Sequence, residues 1–473
     1  MKGKYKNLIK NTSIFALGTF GSKILVFLIV PLYTYVLSSS DYGKIDLITS
    51  SVNLFIPFTT LLIYEAAIRF LIAKECDEKN VFNNCFMIFI IGCVFSIFIS
   101  PIILVWLNIK EYCIIFVSLL ILTNYTTIFG QYLRATGDNW GFSISGIITT
   151  LSTVILNLIL LLVFKKGING YLYSLIISQL ITGIFIFIKC KTLRILNYKY
   201  INIKILKSMI IYSIPLVPNN IMWWIMNAGD KYVINYFLGT AANGIFSISY
   251  KIPTILTMLF SIFMQAWQVS AIEERQKNLE DDFYKKVFKY IFFLLILMTA
   301  IIIIFVQPIF EIIIGNEFIS SWQYVPLLCI ATLFNCFSTF AGVVYLTEKE
   351  SKKSFYTTFI GALTNLIFNF LLIRNLGLFG VSIGTTIGYI IVMILRFRDY
   401  KKYFEVSLMD FEFITSMLIL IVDSLVYMFI NGQIKYVISA ICLVTILFIS
   451  RRTILGIIEI IKNKLKYNNY QNN

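Results

Sequence analysis

Three lysines, Lys23, Lys231 and Lys251, stand inside long apolar stretches of the chain. A cation at the centre of a bilayer costs about 2.5–3.5 kcal/mol on insertion scales, so each needs an acid, a carbonyl or a water-filled cavity. Cations held in this way can bind an anion, phosphate above all, or can pair with an acid on another helix. Lys23 has no acid close to it in sequence. Asp230 and Lys231 are neighbours on one helix and point about 100° apart, which keeps them from pairing well with each other. Lys251, at a comparable depth in the following stretch, is the better mate for Asp230, and that pairing leaves Lys231 toward a cavity.

Other candidates lie near the ends of apolar stretches. Glu65 and Arg69 are spaced i, i+4, which suits a local ion pair. The planar guanidinium of Arg69 also matches two oxygens of a diphosphate at once. Arg134 closes a stretch at the same face and can act likewise, or can serve as a topology anchor. Gln265 and Trp267 offer an amide and an indole face that suit sugar hydroxyls and rings, although Trp is common at any membrane interface, and Trp223 and Trp224 share that ambiguity. Asp423 is isolated in an apolar run and reads as a helix-packing or cation-coupling group. The sequence has no histidine, which removes imidazole acid–base catalysis and leaves zinc without its usual ligands. Its 8 cysteines include no CxxC pair and read as small apolar packers. No metal or cofactor is expected beyond a proton or sodium ion for coupling.

These residues need a lipid-embedded scaffold. A chain of 473 residues that is 58% hydrophobic and 14% charged has too much apolar surface for a water-soluble core. Fourteen apolar runs are each long enough to span about 30 Å of hydrocarbon. They cover approximately 13–36, 45–72, 81–107, 112–133, 141–164, 168–188, 209–237, 241–270, 287–314, 323–346, 355–373, 379–395, 411–430 and 434–450. Alternating the loops places 31 of the 40 Lys and Arg on one side, the positive-inside pattern. Both termini are therefore expected in the cytoplasm. The first stretch follows Lys2, Lys4, Lys6 and Lys10 but is too long for a cleaved signal and is expected to stay attached. The net charge of +16 follows from these loops and implies contact with anionic lipid, not with nucleic acid.

Two halves carry the same local patterns in the same order, which indicates a duplicated unit. LSSSDYG at 37–43 follows the first run and LGTAANG at 238–244 the seventh, each closing on an αL-capable glycine. Pro57 and Pro253 fall in the second and eighth runs, and Pro101 and Pro308 near the outer ends of the third and ninth, so matched kinks are expected. Gly167-x-x-Gly170 and Gly377-x-x-Gly380 each follow an Asn, Asn157 or Asn369, in the preceding helix, with a spacing that differs by two residues. The expected organisation is an all-α polytopic membrane protein with a six-helix N-lobe (1–200), a pseudo-symmetric six-helix C-lobe (201–400), and a C-terminal helix pair with a basic tail (401–473).

Several motifs resemble bacterial polysaccharide repeat-unit flippases, in the superfamily that also holds the MATE drug exporters and the lipid II flippases. They are Gly18-x-x-Gly21-Ser22-Lys23, Pro31-Leu32-Tyr33, Asp41-Tyr42-Gly43, the run Glu65 to Phe70, Asp230-Lys231-Tyr232 with Leu238-Gly239, and Gln265-Ala266-Trp267. The set is spread over roughly residues 1–400, and its order is more specific than any one motif. The chain departs from the family where Lys231 stands in a place that more often carries Arg, which supplies charge without a two-pronged phosphate contact. The resemblance implies two lobes around a cationic cavity that carries a polyprenyl-pyrophosphate-linked oligosaccharide from the inner to the outer leaflet of the cytoplasmic membrane. Membrane lipids and other polysaccharide-assembly proteins would then be partners.

A drug or cation antiporter of the same fold is the first alternative, but it calls for a carboxylate in the first helix, where this chain has only Lys23. A lipid II flippase shares the fold and the need for cations. A membrane polymerase or glycosyltransferase calls for a sizeable outer loop with catalytic acids or bases, and the outer loops here are short, with chiefly Asp41 and Glu317. No GxxxxGK[ST] loop is present, which leaves an ion gradient as the expected driving force.

Overall fold

A computed structural model describes residues 25, 27–107, 109–276, 281–348, 350–402, 410–430 and 432–459. Lys23 and the Gly18-x-x-Gly21 motif lie outside them. Among the described residues all regular structure is helical: α1 (Val30–Val36), α2 (Ser39–Thr60), α3 (Ile63–Ile72), α4 (Glu78–Trp106), α5 (Cys113–Ala135), α6 (Asn139–Asn157), α7 (Gly167–Lys189), α8 (Thr192–Ile195), α9 (Ile203–Ser213), α10 (Leu216–Ser249), α11 (Lys251–Gln276), α12 (Asp281–Ile313), α13 (Val325–Ala341), α14 (Val344–Thr347), α15 (Ser351–Tyr400), α16 (Phe411–Phe429) and α17 (Ile434–Ile449). They form two compact units. The first holds the described residues up to Tyr232 together with Gly239–Gly244, and the second holds Val233–Leu238 and the described residues from Ile245 onward.

The solvent for both units is hydrocarbon. Phe98 (74% exposed), Ile114 (83%) and Ile312 (76%) stand outward from their helices, an arrangement that water would penalise as a continuous apolar surface. Asparagines, serines and threonines share the interiors with apolar side chains. Nine helices among the described residues are long and apolar enough to cross a membrane, or up to 11 if each bent pair is one span. The shortfall from fourteen has identifiable sources. Most of the first run lies outside the described residues, the apolar part of α11 is short, and α15 contains two of the runs read from the sequence, divided at Gly377.

Polar caps and special backbone set the ends of the helices. Ser38 caps α2 by accepting the Asp41 N–H at 3.1 Å, and Asp138 caps α6 by accepting the Gly141 N–H at 2.8 Å. The second span is broken where Leu61 and Leu62 adopt φ of 49° and 51°, and its two halves meet at 56°. Gly239 (φ 82°) interrupts α10, and Gly377 (φ 55°) interrupts α15; a residue with a Cβ pays for positive φ where glycine does not. Pro101 and Pro308 lie inside continuous helices as expected. Pro57 and Pro253 do not give matched kinks. Pro57 lies inside α2, before the break at Leu61, whereas Pro253 lies in the first turn of α11, just after the chain breaks at Tyr250. Its ring collides with a helical carbonyl four residues back, at Ser249, which is where α10 ends.

The two-residue difference between the Asn-to-Gly segments has a structural origin. In the first unit Leu158–Val163 is a π-helix, with the Phe164 N–H donating to the Ile159 carbonyl five residues back at 3.0 Å. These wider turns absorb extra length. Gly167 (φ 54°) then takes up nearly the same φ as Gly377.

Hydrogen bonds between helices hold the first unit together. Asn157 Nδ2 donates to the Tyr33 hydroxyl at 3.0 Å, and Ser174 Oγ donates to Asn157 Oδ1 at 2.9 Å. Thr153 donates to Ser178 at 2.8 Å, and Thr149 and Thr182 share a bond of 2.7 Å. At the other end of this unit Phe82, Phe129 and Tyr132 pack within a core with Ile63, Ala66 and Ala67. In the second unit Asn365 donates to Thr385 at 3.3 Å, and Phe288, Phe292, Phe337 and Phe340 form an aromatic core, with Phe292 and Phe337 centroids 4.2 Å apart.

Replacing Asn157 by Ala removes the donor to the Tyr33 hydroxyl and one acceptor of Ser174, whose Oγ keeps its bond to the Tyr171 carbonyl at 2.6 Å. Intramembrane hydrogen bonds average about 0.6 kcal/mol and reach about 1.7, so Asn157→Ala is expected to lower the melting temperature in detergent by several degrees. Thr150→Ala, at an exposed hydroxyl bonded only to its own helix, should leave it unchanged. Equal melting temperatures for the two variants would show that the Asn157 network does not bear on stability.

Candidate functional site

The ion pair at Lys231 is the best-defined polar centre of the first unit. Its Nζ donates to Asp46 Oδ1 at 2.8 Å and to Ser50 Oγ at 2.9 Å. Asp46 and Ser50 are one turn apart on α2 and therefore share a face. On α10, Trp224 donates its indole N–H to the Ser50 carbonyl at 3.1 Å, and Tyr232 shares a 2.6 Å hydrogen bond with Ser51. The Trp224 and Tyr232 rings are 5.3 Å apart and line the same contact. Only 19% of the Lys231 side chain and 14% of the Asp46 side chain are exposed. Lys231 lies eight residues before Gly239, about 12 Å below the end of the helix at 1.5 Å per residue.

At that end the backbones meet directly. A Cβ on Gly43 would lie 1.9 Å from the Thr240 carbonyl oxygen, and one on Gly244 would lie 1.9 Å from the Ser39 carbonyl oxygen. Gly43 matches Gly244 and Ser39 matches Thr240 in the two repeats, so the contact is reciprocal, as across a two-fold axis. Ser40 and Thr240 hydroxyls share a 2.7 Å bond, and Asn243 Nδ2 donates to the Gly43 carbonyl at 3.1 Å. These glycines therefore serve close approach, and the residue of the second turn with positive φ is Gly239.

The expectation that Lys231 faces a cavity is corrected by this geometry. Its ammonium is neutralised by Asp46, a residue that sequence reading passed over because it lies one position inside the second apolar run. The signal was present as an acid within that run, four residues before Ser50. Asp230 is buried in the first unit, and Lys251 opens α11 in the second.

Glu65 and Arg69 do not form the local ion pair. The Arg69 guanidinium instead lies over the Tyr212 ring of α9, 4.5 Å from its centroid, and both Glu65 and Arg69 are exposed. Arg134, also exposed, lies 5.9 Å from the Phe142 ring centroid and close enough to Glu65 to act on it electrostatically. Two exposed guanidinium groups thus stand at the same end of the first unit.

In the second unit Trp267 is 3% exposed, with its indole stacked on Phe340 at 4.9 Å and met edge-on by Tyr284 at 5.1 Å. That ring face belongs to the protein core and not to a sugar. The side chain of Gln265 lies outside the described residues. Asp423 is buried and accepts a hydrogen bond from Ser439 Oγ at 2.5 Å, joining α16 to α17.

Two buried cations that the sequence placed near loops also emerge. Arg396 donates to the Ser338 carbonyl at 3.2 Å and to the hydroxyls of Thr357 and Thr358 at 3.3 and 3.0 Å. Lys435 lies 4.5 Å from the Trp322 ring and 4.7 Å from that of Tyr427, and donates to Gln307 Oε1. Nothing in their local sequence separates them from ordinary interfacial anchors. Among the described residues no three His, Cys, Asp or Glu side chains are grouped to hold a metal, and the cysteines are free thiols.

The family described as polysaccharide biosynthesis protein matches residues 8–268, and the MatE family matches residues 215–371. An uncharacterised membrane protein of Methanocaldococcus jannaschii is 24% identical over 317 residues, which cover 62% of this chain and 59% of that relative. Among solved structures, the lipid II flippase MurJ in an inward closed conformation is 17% identical with a TM-score of 0.71, over 94% of this chain and 99% of that one. An inward-facing multidrug resistance MATE transporter of the MOP superfamily is 15% identical with a TM-score of 0.63, over 83% and 93% of the two chains. A MOP superfamily transporter from Pyrococcus furiosus, described as having a binding pocket of reverse polarity, is 14% identical with a TM-score of 0.56 over 84% and 95%. At these identities the structural likeness shows the fold.

Two sets of substitutions probe this region. Lys231→Ala and Asp46→Ala each leave the opposite charge without its partner in a low-dielectric setting, so each should lower the melting temperature more than the exchanged pair Asp46→Lys/Lys231→Asp. Failure of the exchange to recover any stability would mean that the pair is not energetically coupled. Gly43→Ala and Gly244→Ala should reduce the yield of folded protein, whereas Gly146→Ala, with no atom within 4 Å of the added methyl, should not.

Proposed function

This chain belongs to the polysaccharide biosynthesis protein family, and from that premise we propose that it flips a polyprenyl-pyrophosphate-linked oligosaccharide from the inner to the outer leaflet by alternating access. The observation that carries this reading is the family match over residues 8–268, more than half of the chain. The protein is a multi-pass membrane transporter of the flippase type, and its cargo would be a repeat unit of a cell-surface polysaccharide such as capsule, O-antigen or exopolysaccharide. With the basic loops facing the cytoplasm, Arg69 and Arg134 stand at the leaflet where such a cargo is made.

The chemistry assigned to each residue follows from its surroundings. Arg69, oriented by Tyr212, and Arg134, steadied by Phe142, would receive the diphosphate through charge-assisted hydrogen bonds. A ring beside each guanidinium limits the orientations it samples, which lowers the ordering cost on binding. Lys231 would act by closure: its bond to Asp46, with the glycine contact beyond it, holds α2 and α10 together at the opposite end, and an outward opening must break it. Movement would be driven by a proton or sodium gradient, with Asp423 as a coupling candidate. Lys23 and Lys251 remain candidate cargo-binding cations.

A MATE-type drug antiporter is favoured by one observation, the MatE match at residues 215–371, and a lipid II flippase by the likeness to MurJ. Purified protein in liposomes with a labelled polyprenyl-pyrophosphate oligosaccharide separates the three. Wild type should move the oligosaccharide lipid and not a cationic dye. Arg69→Ala should slow movement about tenfold, the loss expected from one charge-assisted contact of about 1.5 kcal/mol. Dye uptake without lipid movement would make the protein a drug exporter, and a preference for lipid II over other repeat units would reassign the cargo.

A further inference from the structure

The link between the two halves carries chemistry that cargo movement does not use. Residues 189–208 hold six Lys or Arg (Lys189, Lys191, Arg194, Lys199, Lys204 and Lys207) and no Asp or Glu. Interleaved with them are large apolar side chains turned outward: Leu193 is 80% exposed, Tyr198 78% and Ile203 74%. A flexible polar linker would have neither feature. Alternating bulky apolar groups and cations is the composition of a segment that lies in a headgroup layer, with its apolar groups below and its charges among phosphates.

The segment is also held in place. Two buried asparagines of α4 grip its backbone. Asn83 Nδ2 donates to the Ile195 carbonyl at 3.0 Å, while its Oδ1 accepts the Asn197 N–H at 2.9 Å. Asn84 Nδ2 donates to the Asn202 carbonyl at 3.2 Å, and its Oδ1 accepts the N–H of the same residue at 3.1 Å. On the outer side of this attachment is a groove of about 780 Å³, walled by Phe86, Met87, Ile90 and Ile91 of α4 and by Leu196, Tyr198 and Ile201 of the link. Ile90 and Ile91 continue into Val94, Phe95 and Phe98, all exposed on the lipid-facing side of α4. The groove therefore opens toward hydrocarbon along the helix, and the link that forms its other wall carries the cations in the same segment, Arg194, Lys199 and Lys204.

We propose that this groove holds one acyl chain of an anionic diacyl phospholipid whose phosphate is bound by Arg194, Lys199 and Lys204, so that the link is an anionic-lipid site on the cytoplasmic leaflet. Charge complementarity and continuity with the lipid-facing helix surface select this occupant. An acidic polypeptide would satisfy the cations but not a groove whose open side faces hydrocarbon. The site uses none of Arg69, Arg134 or Lys231 and stands independently of the cargo assignment.

The test is native mass spectrometry of the delipidated full chain, titrated with phosphatidylglycerol or phosphatidylcholine. Wild type should retain phosphatidylglycerol about tenfold more tightly than phosphatidylcholine. The triple change Arg194→Gln/Lys199→Gln/Lys204→Gln should abolish that preference, and Ile90→Trp, which fills the groove with the charges intact, should lower retention by a similar factor. A control that removes three exposed cations elsewhere, Lys401→Gln/Arg451→Gln/Arg452→Gln, should behave as wild type. Equal losses in the control and the triple variant would reduce the effect to diffuse charge and overturn the site. Full retention by Ile90→Trp would remove the acyl chain from the groove, and equal binding of the two lipids would leave the basic link to an acidic protein partner.

Discussion

Hydrocarbon offers no hydrogen bonds, so every buried peptide group and side-chain dipole of this protein must be satisfied from within. That single requirement explains why the described structure is helical, and also where the helices stop. The chain breaks at Leu61, Gly239, Tyr250 and Gly377, and at the first of these the Thr60 hydroxyl accepts the Leu62 N–H at 3.2 Å. It also explains why serine, threonine and asparagine are found with apolar residues in the interior, whereas the outward faces carry isoleucine, leucine and phenylalanine. Association of helices in lipid gains little from apolar burial, so polar bonds such as Asn157 to Tyr33 and small-residue contacts such as Gly43 to Thr240 carry the specificity.

The internal repeat is expressed through this same economy. Each half uses an Asn in one helix, a left-handed glycine at the following turn and a second glycine three residues on that admits the neighbouring helix. The halves solve the geometry with different lengths, and a π-helical segment at Leu158–Val163 takes up the difference. At the 37–43 and 238–244 turns the repeats meet each other reciprocally, glycine against carbonyl. Directly below, Lys231 and Asp46 add a charged hydrogen bond to that crossing. Close backbone approach and a charged hydrogen bond are thus combined in one crossing of α2 and α10.

Cations in this protein divide by environment more than by identity. Arg396 and Lys435 are enclosed by carbonyls, hydroxyls and aromatic faces, and their charge is spent on joining helices. Lys231 is enclosed by one acid and one hydroxyl. Arg69 and Arg134 remain at the surface with their planes supported by rings, and the basic residues of the 189–208 link face outward among apolar neighbours. Among these described residues the last two groups are the ones at the protein's exterior, where an external phosphate can reach them.

Much of this was legible in the sequence. Apolar run length alone required a helical membrane protein, because the bilayer core admits so few backbone conformations. The spacing of Asn and Gly between the halves was legible as a repeat, and loop charges carried a strong asymmetry, since these features depend only on neighbours along the chain. The Glu65–Arg69 pair, the availability of the Trp267 face and the freedom of Lys231 were not decided there. Asp46 and Lys231 are 185 positions apart, and Trp267 and Phe340 are brought together only by packing of α11 against α13. A short-range electrostatic or stacking contact depends on which helix faces meet, and that is settled by tertiary packing, not by order along the chain.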